Sequence, residues 1–411
     1  MMDTLTLWQR LLRYRPARWA WRFLRVLVVI AMLANLLAND KPLYCQLDGA
    51  HYFPAFREYA VDLGWMDWPA GLSMIDWKEA PYEQVLRAPV PYSPRTLDLA
   101  NNDYVSPFAE QRVPDLQARH WLGTDQLGRD VLSNMIYGAR SALLVGLGAM
   151  LLAALIGGFF GVLAGYFGDR SVRLSRWSVP VLLLGVFFAW FYGFRVRRAA
   201  LLEGGTGQWL LSLLLAALIL ALSGWVARWL HRRFPGSARI YLPLDALVLR
   251  LIEVLSSIPA LLLLLTLVAV LERNGTVQII LIIGLIGWTG IARYLRAELL
   301  RIRVLPYVEA ARALGFSNQR IIARHALPNA LTPVLITLSF GVAAAILVEA
   351  ALSFLGLGIA NGATWGSLLA GARSYFPAWW MAVFPGVAIF LTVVTFNLLG
   401  EGLSRAMDPG R

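Results

Sequence analysis

Pro306-Tyr307-Val308-Glu309-Ala310-Ala311-Arg312-Ala313-Leu314-Gly315, followed at a distance by Leu327-Pro328, lies in a basic segment between two long apolar runs. A polar stretch held between two such runs is a soluble loop at a membrane surface. Pro306 suits the first position of a helix, where no amide hydrogen is needed. Val308, Ala311 and Leu314 recur at helical spacing on one side, with Glu309 and Arg312 on an adjacent face. Gly315 suits a helix end. Ser317 caps a second short helix over residues 318–326, which Pro328 follows. The expected path is an amphipathic helix, a glycine turn, a second helix and a return to the membrane. On these residues alone, an amphipathic linker lying on lipid fits equally well.

The whole chain agrees with a membrane setting. Of its 411 residues, 58% are hydrophobic, and its mean hydropathy is positive. About eight runs reach membrane-spanning length, at residues 20–38, 141–167, 179–194, 209–230, 244–271, 277–291, 331–357 and 380–403. The expected fold is all-α and polytopic, with a loop domain between the first two spans. The formal charge of +12 would fit nucleic acid. Arginine clusters beside apolar runs instead follow the positive-inside rule, so no nucleic-acid partner is expected. The single cysteine, Cys45, excludes an internal disulfide framework and a cysteine-based zinc site. Four scattered histidines suggest no metal cluster.

Arginine placement sets the orientation. Arg10, Arg13, Arg15, Arg18, Arg22 and Arg25 precede the first apolar run without a convincing cleavage site after it. An uncleaved first span with its start in the cytoplasm follows. The basic loop at about 293–328 then also falls inside, and both termini are cytoplasmic. Residues 39–119 are rich in Pro, Tyr and Trp and carry more acids than bases, as expected of a small folded cap on the outer side. Arg195, Arg197 and Arg198 conflict with this scheme, because they would lie outside. Either residues 179–230 form a fully inserted hairpin with an unusual outer turn, or the hairpin is shallow and re-entrant.

Two overlapping small-residue units, Gly157, Gly161 and Gly165, mark a ridge where another helix can approach closely. Ahead of that run stands His120-Trp121-Leu122-Gly123-Thr124-Asp125-Gln126-Leu127-Gly128-Arg129-Asp130. It lacks P-loop spacing. A capped turn leading into an interfacial helix, with Asp125 and Asp130 as helix-start acids, is expected ahead of direct substrate contact. Glu253, Ser256, Ser257 and Pro259 lie in one apolar run, and Glu349 and Asn397 in later ones. Charged groups at that depth face a bundle interior or water. Glu253, Ser256, Ser257, Pro259 and Glu349 are therefore candidate pore lining, with hydrogen bonds between helices as the plainer alternative.

The Glu309-Ala310-Ala311, Gly315 and Leu327-Pro328 pattern resembles the EAA signature of ABC importer permeases. His325 stands where the usual form has Ile, as in peptide and nickel permeases. The Gly123, Thr124, Asp125, Gly128, Arg129, Asp130 stretch is similar to that of the second permease of dipeptide, oligopeptide and nickel importers. Glu349-Ala350-Ala351-Leu352-Ser353-Phe354-Leu355-Gly356, Trp365-Gly366, Phe384-Pro385-Gly386, Asn397-Leu398-Leu399-Gly400 and Asp408-Pro409 extend the match. Ala38-Asn39-Asp40-Lys41-Pro42 and Tyr52-Phe53-Pro54 look like the oligopeptide/microcin C type. The resemblance covers about residues 118–168 and 244–411, and the hairpin departs from it.

That resemblance implies a six-helix permease core with an inserted hairpin. The corresponding division is 1–38 for the N-terminus and first span, 39–119 for the outer cap and 120–168 for the motif and second span. Residues 169–243 form the hairpin, and 244–411 complete the core. It further implies an inner-membrane subunit that moves peptides or peptide-like compounds by alternating access. Its partners would be a homologous permease, two ATP-binding subunits that hold ATP and Mg, and a periplasmic substrate-binding protein. Glu309, Ala310, Ala311, Gly315, Leu327 and Pro328 would form the ATPase contact. This chain itself would hold no cofactor and no catalytic site. An ion-driven secondary transporter is the rival, but neither inverted repeats nor paired acids at broken helices are evident. A membrane-embedded enzyme would need a convergent nucleophile, base or metal set, and the residues here are scattered.

Overall fold

Helix contact at the glycine ridge organises the interior. In the computed structural model, the second span is a helix from Val131 to Val162 that continues through a π-helical turn, Leu163–Phe167. A β-carbon on Gly157 would lie 2.7 Å from the Trp288 carbonyl oxygen, and one on Gly161 2.9 Å from the Leu295 β-carbon. Both neighbours belong to the helix Thr276–Ile302. Only hydrogen side chains permit this backbone approach, so the ridge at Gly157 and Gly161 is a packing surface.

The structure describes residues 7–407 except 48, 63, 74, 78, 79, 170–172, 177, 204, 205, 235–238, 272–274, 360 and 361. Asp408-Pro409 therefore lies outside the described residues. Among the described residues, six helices are long and apolar enough to cross a membrane. A bent pair, Leu244–Ser257 and Ala260–Val270, turns by 84° around Pro259 and passes the same test only when taken together, as a broken span or a re-entrant loop. The N-terminal helix Arg15–Met32 carries Arg15, Arg18, Arg22 and Arg25, which set it apart from these by composition. It breaks at Leu33 and resumes as Ala34–Leu37. The architecture is an all-α polytopic membrane protein with very little sheet.

The chain divides into two units, Met1–Gly161 with Glu253–Arg411, and Val162–Ile252. In the first, the return helix Leu327–Phe354 packs against Thr276–Ile302 and the C-terminal helix Trp380–Met407. The N-terminal helices also dock on the C-terminal helix. There Leu11, Ala17 and Ala406 form a buried cluster, and the Tyr14 hydroxyl donates to Glu401 at 3.1 Å. The loop between the first two spans folds into a three-stranded antiparallel sheet, with Tyr44–Leu47 between Ala50–Tyr52 and Gln84–Leu86. Its own core gathers Cys45, Leu47 and Trp77 with Tyr52, Trp68 and Tyr82.

The second unit is a helical hairpin, Ser178–Trp190 against Thr206–Arg233, with a two-stranded base of Arg173–Ser175 and Arg239–Tyr241. The first arm continues through a π-helical turn, Phe191–Arg195. Both arms are long enough to cross a bilayer. At the tip, Arg197 donates to Gln208 at 2.5 Å and to Ser212 at 2.9 Å. That pairing lowers the cost of a cation at the tip of an apolar hairpin.

Three local expectations change. The interfacial helix expected after Asp130 is continuous with the second span, because its cap and first turns run directly into Val131–Val162. The second loop helix is not separate. Asn318–Ile321 passes through a π-helical turn, Ile322–Ala326, straight into the return helix. The wide turn has the Leu327 amide donating to the Ile322 carbonyl. It thereby gives room for the Pro328 ring, so proline does not stop the helix. Thirdly, Leu314 does not join the buried side of the first loop helix. It is 74% exposed at the C-cap, where the chain reverses.

Candidate functional site

The loop helix runs from Pro306 to Ala313 with Leu305 as N-cap and Pro306 at its start. Gly315 has φ of +79°. Its amide donates to the Arg312 carbonyl at 2.9 Å, and the Phe316 amide donates to the Ala311 carbonyl at 3.1 Å. These two bonds are the paired closure of a left-handed glycine C-cap. Ser317 then accepts from the Arg320 amide. Val308 and Ala311 are buried, which fixes the helix on the body. Glu309, Ala310, Arg312 and Gly315 are exposed. The result is a small rigid knob with a mixed apolar and charged outer face.

Two contacts tie the knob to the return helix. His325 stacks on Phe316 with centroids 6.3 Å apart, and the Arg320 guanidinium covers Phe316 at 4.4 Å. A flat ring at position 325 thus has a partner that an aliphatic side chain would not stack on. The Asn329 side-chain amide donates to Tyr307 at 3.3 Å and to the His325 carbonyl at 2.7 Å. Leu327 is half-buried and Pro328 exposed at the start of the return helix.

At the other motif, Gly123 and Gly128 both have positive φ, +78° and +76°. Asp125 Oδ1 accepts from the amides of Leu127 and Arg129, both at 2.9 Å. Asp125 therefore closes the turn, and the helix-start role belongs to Asp130. Asp130 Oδ1 accepts from the Ser133 amide at 2.6 Å. The Thr124 hydroxyl donates to the Asn101 carbonyl at 2.8 Å, and the Trp380 indole donates to the Thr124 carbonyl at 3.1 Å. Trp365 donates to the Met135 carbonyl at 3.0 Å. The motif is a clamp holding the loop before the second span, that span and the C-terminal helix together.

His120 is the centre of that clamp and is fully buried. Its Nδ1 lies 2.8 Å from Asp130 Oδ2 and its Nε2 lies 3.1 Å from Asp98 Oδ2. Tyr92 stacks on the ring with centroids 4.3 Å apart. Only an imidazolium can donate to both carboxylates at once. Burial alone pulls the His120 pKa down, but hydrogen bonds and charge from Asp130 and Asp98 outweigh it, and the net direction is up. Burial pushes Asp98 up, yet hydrogen bonds from Asn101, His120 and the Ala100 amide bring it below the usual carboxylate range.

His120 contributes fully to stability below its ordinary value of 6.5, and the contribution fades as pH rises through its raised folded value. Asp98 contributes above its ordinary 3.8 and fades as pH falls through its lowered value. We expect the difference in melting temperature between wild type and His120→Gln to be largest between these limits and to shrink at alkaline pH. A thermal unfolding series across pH in detergent reads this directly. A difference that stays constant to pH 9 would show that His120 acts by packing alone. Neither Asp98 nor Tyr92 stands out in the sequence, because their link to His120 spans more than twenty residues of irregular chain.

Residues 236–411 match the family described as binding-protein-dependent transport system inner membrane component. The chain is 30% identical over 417 residues to the inner membrane ABC transporter permease protein YejE of Escherichia coli K12, covering 98% of this chain and 96% of that one. The chain belongs to the ABC importer permease family. It is also 33% identical over 308 residues to the dipeptide transport system permease protein DppC of Bacillus subtilis, covering 74% of this chain and 72% of that one. Among solved structures it is similar to inward-facing conformations of the MetNI methionine ABC transporter. That likeness has a TM-score of 0.32 and 16% identity over 65% of this chain and 97% of that chain.

Membership favours an ATP-driven importer over an ion-driven carrier. In this permease Glu253, Ser256, Ser257 and Pro259 are all exposed at the break of the bent pair. Arg293, near the end of the helix Thr276–Ile302, donates to Ser256 Oγ at 2.9 Å. Glu349 differs from this group. It is 2% exposed and accepts from the Ser353 hydroxyl at 2.7 Å within its own helix. Asn397 is half-buried on the C-terminal helix.

Proposed function

We propose that this permease forms half the pore of an importer for peptides or peptide-like compounds in the bacterial inner membrane. It would have both termini in the cytoplasm. Its partners would be a homologous permease, a pair of ATP-binding subunits that hold ATP and Mg, and an extracytoplasmic solute-binding protein. A relative named for dipeptide transport supports the substrate class. The observation that carries the coupling role is the rigid exposed knob at Pro306–Gly315, anchored through Val308 and Ala311.

Closure of the ATP-binding subunits would push on Glu309, Ala310 and Gly315. Ala311 would serve from the buried side by letting the helix sit close to the body. The Leu327-Pro328 junction and the Asn329–Tyr307 bond would pass the displacement to the return helix. Glu253, Ser256, Ser257 and Pro259 would face the solute path at the bend, and Glu349 would support it from behind. Hydrolysis would occur on the partner subunits.

Co-expression with the ATPase of its own gene neighbourhood tests this. We expect a stable complex with ATPase activity and none from the purified permease alone. Robust peptide uptake by the lone chain in liposomes under an ion gradient would refute the proposal.

A further inference from the structure

Two adjoining clefts share Pro94, Arg95, Gly362 and Ala363, and the smaller is also lined by Asp40, Lys41, Glu58 and Arg140. The larger has a volume of about 840 Å³, within the range of small-molecule sites. Three arginines line it from separate stretches of chain: Arg95, Arg129 and Arg373. Asp125 is the one carboxylate among the described lining residues, and its Oδ1 already accepts two backbone amides. The cleft is therefore cationic, and its concave wall concentrates that field.

Arg129 is half-buried, and its charge acts on the neighbouring Asp125. Arg373 is held differently, with its guanidinium 5.3 Å from the Phe354 ring centroid. A cation stacked on an aromatic face keeps its in-plane N–H groups available to an acceptor. Planar forks of this kind match a carboxylate through paired hydrogen bonds.

The geometry points to this cleft as a carboxylate site that takes the free C-terminus of a peptide-like solute at the outer mouth of the permease. This rests on the importer reading above and adds a recognition element to it. A concave pocket with arginines from three segments admits a chain end, whereas a docking protein needs a broad surface.

The test uses the full chain in nanodiscs, titrated calorimetrically with trialanine and with trialanine amide. Trialanine is expected to bind at least about tenfold more tightly than the amide. Arg129→Gln and Arg373→Gln should each weaken trialanine binding by about tenfold and leave the amide nearly unchanged. The amide comparison needs no substitution, so it survives a variant that fails to fold. Equal binding of acid and amide, or binding of neither, overturns the proposal. So does unchanged trialanine affinity in the double variant. If the variants instead lose an extracytoplasmic solute-binding protein while trialanine binding is unaffected, the cleft is a protein dock and the proposal fails. Titration requires no ATPase. A wild-type chain that binds trialanine but recruits no ATPase would refute the coupling reading and leave the cleft intact.

Discussion

Glu309→Lys will weaken recovery of the ATPase subunit by the permease at least about thirtyfold, the scale of losing a paired charge at an interface centre and leaving its partner unmatched. Gly315→Pro will do the same by a different route. Its native φ of +79° is closed to proline, whose ring holds φ near −65°. Its amide also donates to Arg312, and proline has none to donate. The chain reversal would open and the knob would lose its shape. Both positions are exposed and lie outside the packed helix contacts, so membrane insertion should be unchanged. Pull-down of the ATPase, with membrane fractionation alongside, makes the comparison. Full recovery of the ATPase by both variants would remove the knob from the coupling pathway.

Gly128→Ala is expected to destabilise the permease by about 4 kcal/mol or more, the range reached when backbone strain and steric overlap coincide. Its φ of +76° already disfavours a side chain. A β-carbon there would also overlap the Asp98 carbonyl oxygen and lie 2.8 Å from the Asp98 carbonyl carbon. The clash falls on backbone, which cannot swing aside as a long side chain would. Asp98 is the residue that faces His120, so the damage reaches the buried carboxylate–imidazole cluster. Thermal unfolding in detergent measures the loss, and Gln126→Ala, at an exposed neighbour in the same turn, serves as the control. Equal melting temperatures for the two variants would contradict the steric account.

The parts legible in the sequence were those set by local chemistry. Pro306, Gly315 and Ser317 each act within a few residues of themselves, and the helix start, turn and cap appear where they stand. The Gly157 and Gly161 spacing likewise announces a close helix contact, though not its partner at Trp288–Leu295. What escaped was set at a distance. The turn at Gly128 is demanded by Asp98, thirty residues earlier in the chain. Arg293 reads as one more cytoplasmic cation until the bend brings Ser256 to it. Pro328 reads as a stop because proline lacks an amide, and a single widened turn cancels that signal. Leu314 obeys the apolar period, but the glycine after it turns the chain before that period can be used.

The backbone contact at Gly157 has a mechanical consequence. Two helices touching main chain to main chain have no compliant side-chain layer between them. Relative sliding would drive Gly157 into the Trp288 carbonyl or tear open a void. The second span and the helix leading to the knob must travel as one strut. A displacement delivered to the proposed knob would then have to be taken up elsewhere, and the 84° bend beside Pro259 is one place for it.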